Sequence, residues 1–163
     1  GMTQNVQRCA EISLSALQTL LGAYGLQVVM LPENADIPGS YWGAPEAGLV
    51  LDTLYIRPDT PTHSALHEAG HWICMDDARR AKLHTDAGGT VLEECAVNYL
   101  QILLAEALPN VGREQMLRDM TTWGYSYREG SVYAWLEGDA ADAIAWLQQH
   151  DLIDAQRQRI THR

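Results

Sequence analysis

Within Thr62-His63-Ser64-Ala65-Leu66-His67-Glu68-Ala69-Gly70-His71-Trp72-Ile73-Cys74-Met75, the five residues from His67 to His71 match H-E-x-x-H. Pro58 and Pro61 punctuate the approach, Thr62 or Ser64 is suited to act as an N-cap, and a helix is predicted over 62–75. Residues four apart on a helix lie about 40° apart round the axis and about 6 Å apart along it. Both imidazoles can therefore reach one ion held beside the helix. Glu68 lies about 100° round from His67, close enough to touch a water on that ion without being a ligand. Ala65, Leu66, Ala69, Gly70, Trp72 and Ile73 carry no charge, as a buried metal-binding helix requires. Two histidines stacked by chance on an exposed face would usually have Lys or Glu among those neighbours. Gly70 costs about 1 kcal/mol against Ala inside a helix, which points to tight packing there by a strand or a substrate backbone.

A zinc site of this kind needs a third protein ligand and leaves a fourth position for water. Downstream candidates are His84, Asp86, Glu93 and Glu94. His84 stands in a polar loop, where a surface role is the simpler reading, and Asp86 suits a turn. The most apolar helix of the chain is predicted over 91–108, stopped by Pro109 and Gly112. On it Ala96, Tyr99, Leu100, Leu103 and Leu104 form a stripe centred away from Glu94, which leaves Glu94 free to face the metal helix. Glu93 lies nearer the stripe and stays open as the alternative third ligand. Asn98, one turn beyond Glu94, is placed to fix a ligand histidine by a hydrogen bond.

Outward from these helices the chain has no internal repeat or long linker. Ile12, Leu14, Leu17, Leu20 and Leu21 recur at helical spacing within 10–21, and Gly22 and Gly25 break the pattern. Residues 26–31 read as a strand ended by Pro32, and 48–56 as one strand, or as two with a bend near Asp52. Residues 76–90 read as a polar loop; shorter helices are predicted over 113–122, 131–136 and 140–149. The polar tail 156–163 is predicted to fray. A helix, a few strands and then helices make an α+β arrangement.

At 163 residues the chain fits one domain. Such a chain buries roughly 70% of its unfolded surface, enough for a core without staples. No run of apolar residues is long enough to span a membrane. The start lacks a secretion signal, and Gly1 ahead of Met2 reads as a residue added for expression. Cys9, Cys74 and Cys95 form no CxxC or paired pattern, which fits a reducing, cytoplasmic compartment. Acidic residues number 21 against 11 basic, a formal charge of −10 that repels phosphate backbones and excludes nucleic acid as a partner.

With His67, Glu68 and His71 on one helix and Glu94 followed by Asn98 on the next, the chain resembles the gluzincin-type zinc metallopeptidases. Their glutamate ligand lies on a following helix, often with an acidic or amide residue four positions later. The stretch Glu93-Glu94-Cys95-Ala96-Val97-Asn98-Tyr99-Leu100-Gln101-Ile102-Leu103-Leu104 is similar to the E-x-x-A-N-x-F-A-x-x-L-L pattern of the ImmA/IrrE-type family. Val97, Leu100 and Gln101 stand where that pattern has Ala, Phe and Ala. The resemblance implies a compact zincin-like domain over 1–163: a small mixed sheet, an active-site helix, a glutamate-ligand helix and C-terminal helices. It also implies a peptide or protein substrate, in some members of the family a repressor protein. Two neutral imidazoles and a carboxylate leave a zinc site formally positive, and Glu68 is the expected general base. Tyr125, Tyr127 and Tyr133 are candidate donors to a developing oxyanion, although packing is the simpler reading for all three. A zinc-stabilised interaction domain without proteolysis, and a metal-free binding domain, are the competing expectations.

Overall fold

The computed structural model describes residues 5–83, 90–125, 127 and 130–161. Helix α1 (Leu14–Gly22) begins where the Ser13 hydroxyl accepts from the Ala16 amide at 3.1 Å. The helical spacing that starts at residue 10 is thus interrupted: Cys9–Glu11 is a single 3-10 turn, and Ser13 resets the helix behind it. Leu17 and Leu21 are fully buried on the inner face of α1, which packs on strand β1 (Gln27–Met30). The apolar run at 48–56 divides into β2 (Gly48–Val50) and β3 (Thr53–Ile56), with Leu51 turning the chain at φ 54. The sheet order is β1-β3-β2; β1 runs parallel to β3, and β2 pairs antiparallel with it, Leu49 opposite Leu54.

Helix α2 (Thr62–Cys74) lies between this sheet and helix α4 (Val91–Glu106). Neither Thr62 nor Ser64 caps α2. Pro61 occupies the cap position, Thr62 is already inside the first turn, and the Ser64 hydroxyl accepts from the Ala47 amide at 3.1 Å. The stretch read as a loop from residue 76 holds the short helix α3 (Asp77–Arg80), capped by Asp76 accepting from the Arg79 amide. From α3, Arg80 donates to the carbonyls of Trp72 (2.9 Å) and Ile73 (3.2 Å) and lays its guanidinium 3.8 Å over the Trp72 ring. Carbonyls left over at the end of α2 are thereby satisfied.

Helices α5 (Gly112–Trp123) and α7 (Ala141–Gln149) pack on α4, and α6 (Val132–Gly138) packs on α5. The arrangement is α+β, as the sequence predicts. Residues 156–161 do not hang free as a frayed tail: the amides of Gln156 and Gln158 donate to Asp154 Oδ1 at 2.9 Å, and the Ile160 amide donates to the Leu152 carbonyl. No described helix is long and apolar enough to cross a membrane.

Candidate metal centre

Helices α2 and α4 run antiparallel and unusually close. A Cβ on Gly70 would lie 3.1 Å from Val97 Cγ1 and 3.4 Å from the Val97 carbonyl oxygen. Gly70 therefore accommodates the backbone of α4, not a strand or a substrate. That approach carries Glu94 over the two histidines: Oε1 lies 2.9 Å from His67 Nε2 and Oε2 lies 3.0 Å from His71 Nε2. The ligand atoms of His67, His71 and Glu94 all fall within 4.8 Å of one another, so the group can hold a metal ion.

Glu93 points elsewhere. It is buried, and both its oxygens accept from Arg79 of α3, at 2.8 and 3.0 Å. The Thr90 hydroxyl accepts from the Glu93 amide at 3.1 Å and starts α4 there. With Glu93 clamped to α3, the next residue, about 100° round the helix, faces α2. His84 and Asp86, the other candidate ligands, lie outside the described residues.

The charges agree with this placement. Burial disfavours ionised Glu94, but hydrogen bonds from His67 and His71 outweigh it and hold the carboxyl well below the usual range. Burial likewise opposes the His67 cation, yet the bond to Glu94 and that carboxylate's charge raise the imidazole above its ordinary value. Protons shared between imidazole and carboxylate occupy the place that a divalent cation would take, and metal binding would release them.

Which residue orients the histidines differs from the sequence reading. Asn98 does not hold a ligand histidine, and its Oδ1 is buried without a hydrogen-bond partner. The partner of His67 Nδ1 is Gln101 Oε1 at 2.9 Å. Nδ1 lies across the ring from Nε2, so its partner must sit deeper between the helices than Glu94. Gln101, two turns beyond Glu94 on the same face, does. Since Oε1 can only accept, Nδ1 carries a proton, and once the proton shared with Glu94 is released Nε2 would offer its lone pair to a metal. This fits a metal site. His71 has no such support: its Nδ1 is buried and unpartnered.

Sequence reasoning also missed His63, one turn before His67 and 1% exposed. Its ring packs on Trp123 at 4.7 Å, and its Nδ1 lies 3.1 Å from the Tyr125 hydroxyl, which in turn accepts from Gln101 Nε2 at 3.3 Å. Burial, with the charges of His67 and Arg8, pushes its pKa down to about 3. The signal was the four-residue spacing His63, His67, His71, which puts all three on one face. Of the tyrosines considered, Tyr125 commits its hydroxyl to Gln101 and His63. Tyr127 stacks on Trp135 at 5.0 Å, and Tyr133 stands partly exposed on α6.

Of the three ligand candidates, His71 is buried behind the other two, and His67 and Glu94 line an open cleft of about 470 Å³. Glu68 lines it beside His67; Trp42 and Glu46 come from the loop before β2, and Trp123 and Tyr125 from the end of α5. Two imidazoles, a carboxylate and an adjacent Glu68 in an open cleft can bind a cation and move a proton beside it. No protein-family model matches this chain, no curated protein matches it, and no solved structure matches it.

Proposed function

We propose that the chain is a zinc-dependent metallopeptidase of zincin-like fold, cleaving a peptide or a regulatory protein with Glu68 as general base. The observation that carries this reading is the convergence of His67, His71 and Glu94 beside a cleft that His67, Glu94 and Glu68 line. A structural zinc is closed off by four protein ligands, whereas a catalytic one keeps a position open. Among the described residues the cluster has three members and opens on the cleft, which favours a hydrolase over a zinc-stabilised interaction domain.

Two nitrogens and a carboxylate suit zinc, which when bound would polarise the scissile carbonyl and acidify water toward a pKa of about 7. Glu68 takes the proton of the attacking water and returns it to the leaving amine nitrogen. Gln101 accepts from Nδ1 of His67, which leaves Nε2 as the nitrogen that would bind the metal. The chain's own part is thus to fix three ligands and one proton carrier.

The test is Glu68→Gln, assayed against a peptide library with a chelator control. The variant keeps its zinc and loses hydrolysis by about 10²–10⁴-fold. Equal turnover in variant and parent rules out the proton-transfer role.

A further inference from the structure

Among the described residues eleven line the cleft, and neither Lys nor Arg is among those eleven. Three are carboxylates: Glu94, Glu68 and Glu46. A divalent ion at the His67–His71–Glu94 group would match the charges of Glu94 and Glu68. Glu46 is left over. It is half-buried, and among the described residues no Lys or Arg and no hydrogen-bond donor is paired with its carboxylate. Burial, and after it the charge of Glu68, raise its pKa, and the charge of His67 offsets them only in part.

Glu46 is also held in place. Its amide donates to the Gly43 carbonyl at 3.1 Å, and its own carbonyl accepts from the Ser40 hydroxyl at 3.0 Å. On either side, Thr60 donates to the Pro45 carbonyl, and Ala47 donates to Ser64 on α2. A Cβ on Gly48 would run into the Pro38 carbonyl, so the two ends of this loop touch. A carboxylate on so tied a loop loses little freedom when it meets a partner.

Two more features of the same cleft ask for a donor with positive charge. Asn98 is 8% exposed and lines the cleft, and its Oδ1 accepts no hydrogen bond. A buried acceptor without a donor is destabilising, and a ligand N–H would relieve it. Trp42 and Trp123 present aromatic surface along the walls, and ring faces attract ammonium and guanidinium groups.

Resting on the metallopeptidase reading, we propose that Glu46 makes the cleft select substrates with a positive charge beside the scissile bond. That charge is a lysine or arginine side chain, or a free terminal amine. The zinc-loaded full chain is assayed on peptides that differ only by lysine or norleucine at each position flanking the cleaved bond. At one position lysine raises kcat/KM by about tenfold, the value of a single partly buried ion pair. Glu46→Gln brings that ratio to about one while zinc content stays the same. N-acetylated and free-amine versions of each peptide distinguish the side chain from the terminus. A ratio near one in the parent, or a preference that survives in Glu46→Gln, overturns the inference. Should no peptide be cut, peptide hydroxamates carrying lysine or norleucine give the answer by calorimetry. Tighter binding of the lysine form, lost in Glu46→Gln, keeps the cation site and abandons the peptidase. Equal affinities overturn the cation site.

Discussion

The floor of the cleft is made by two buried helices, and its rim by a loop and a helix end that meet solvent. His71 on the floor is 4% exposed and Gln101 is fully buried, while Trp42 on the rim is 76% exposed. On the floor one side chain fixes the next: Arg79 holds Glu93, which leaves Glu94 to meet both histidines, and Gln101 holds His67. On the rim, the loop is fixed mainly through its backbone, and Trp42 and Glu46 face the cleft, while Trp123 and Tyr125 rest on His63 below. A floor of that kind tolerates little and specifies chemistry; a rim of that kind can change its side chains and specify which molecule enters.

The comparison breaks most visibly at the ligands. Glu94→Ala or His71→Ala abolishes stoichiometric zinc, read by elemental analysis after dialysis. Glu93→Ala, one residue away, keeps the zinc, and so does Trp42→Ala on the rim. Zinc retained without Glu94, or lost without Glu93, would show that the wrong carboxylate has been placed on the floor.

Removing Gln101 sharpens the comparison within the floor. Gln101→Leu frees the His67 ring to turn and weakens zinc binding by about 10–100-fold, as loss of a residue that orients a ligand does. Asn98→Ala leaves zinc affinity near the parent's, because Asn98 bonds neither histidine. Competition against a chromophoric chelator measures both. Similar losses in the two variants would restore the role that the sequence reading gave to Asn98.

Spacing explains what was legible. His67, Glu68 and His71 sit within five residues of one helix, so local geometry alone relates them. The order of elements and the bend between β2 and β3 were legible for the same reason, since period and turn residues are local. Choosing Glu94 over Glu93 depends on Arg79, which comes from a stretch whose helix is only one turn long. Gln101 was hidden because α4 is buried nearly all round, so its apolar stripe does not mark a single inward face. Glu46 was hidden because a loop has no period to extrapolate. The turn of helix expected before Ser13 was lost to a hydroxyl that competes for the backbone.

His63 joins floor to rim, and it should make that junction sensitive to acid. Its folded pKa of about 3 lies below the ordinary imidazole value of about 6.5, so between these limits the unfolded chain binds a proton that the folded chain refuses. Its contribution is fully present above about pH 6.5 and drains away as pH falls toward 3. His63→Phe removes this penalty. Relative to the parent, the variant should gain about 2 kcal/mol between pH 7 and pH 5, at a limiting slope of about 1.4 kcal/mol per pH unit. Urea titrations with chelator present keep metal loss from entering the difference. Parallel curves for the two proteins would mean that His63 takes up its proton as readily in the fold as in the unfolded chain.

The smallest effect concerns how near the two floor helices stand. Gly70→Ala adds helix propensity worth about 1 kcal/mol, which by itself would stabilise α2. The new methyl meets Val97 Cγ1 at 3.1 Å and the Val97 carbonyl at 3.4 Å. Val97 is fully buried, and a β-branched residue in a helix has essentially one rotamer, so the side chain cannot swing aside. The helices must part by a few tenths of an ångström, at an overpacking cost of about 1–3 kcal/mol that exceeds the propensity gain. Gly70→Ala should therefore lose about 1 kcal/mol of stability in urea. In a Val97→Ala background the obstruction is gone, and the same substitution should gain about 1 kcal/mol. A loss of equal size in both backgrounds would place the constraint on Gly70 somewhere other than the contact between α2 and α4.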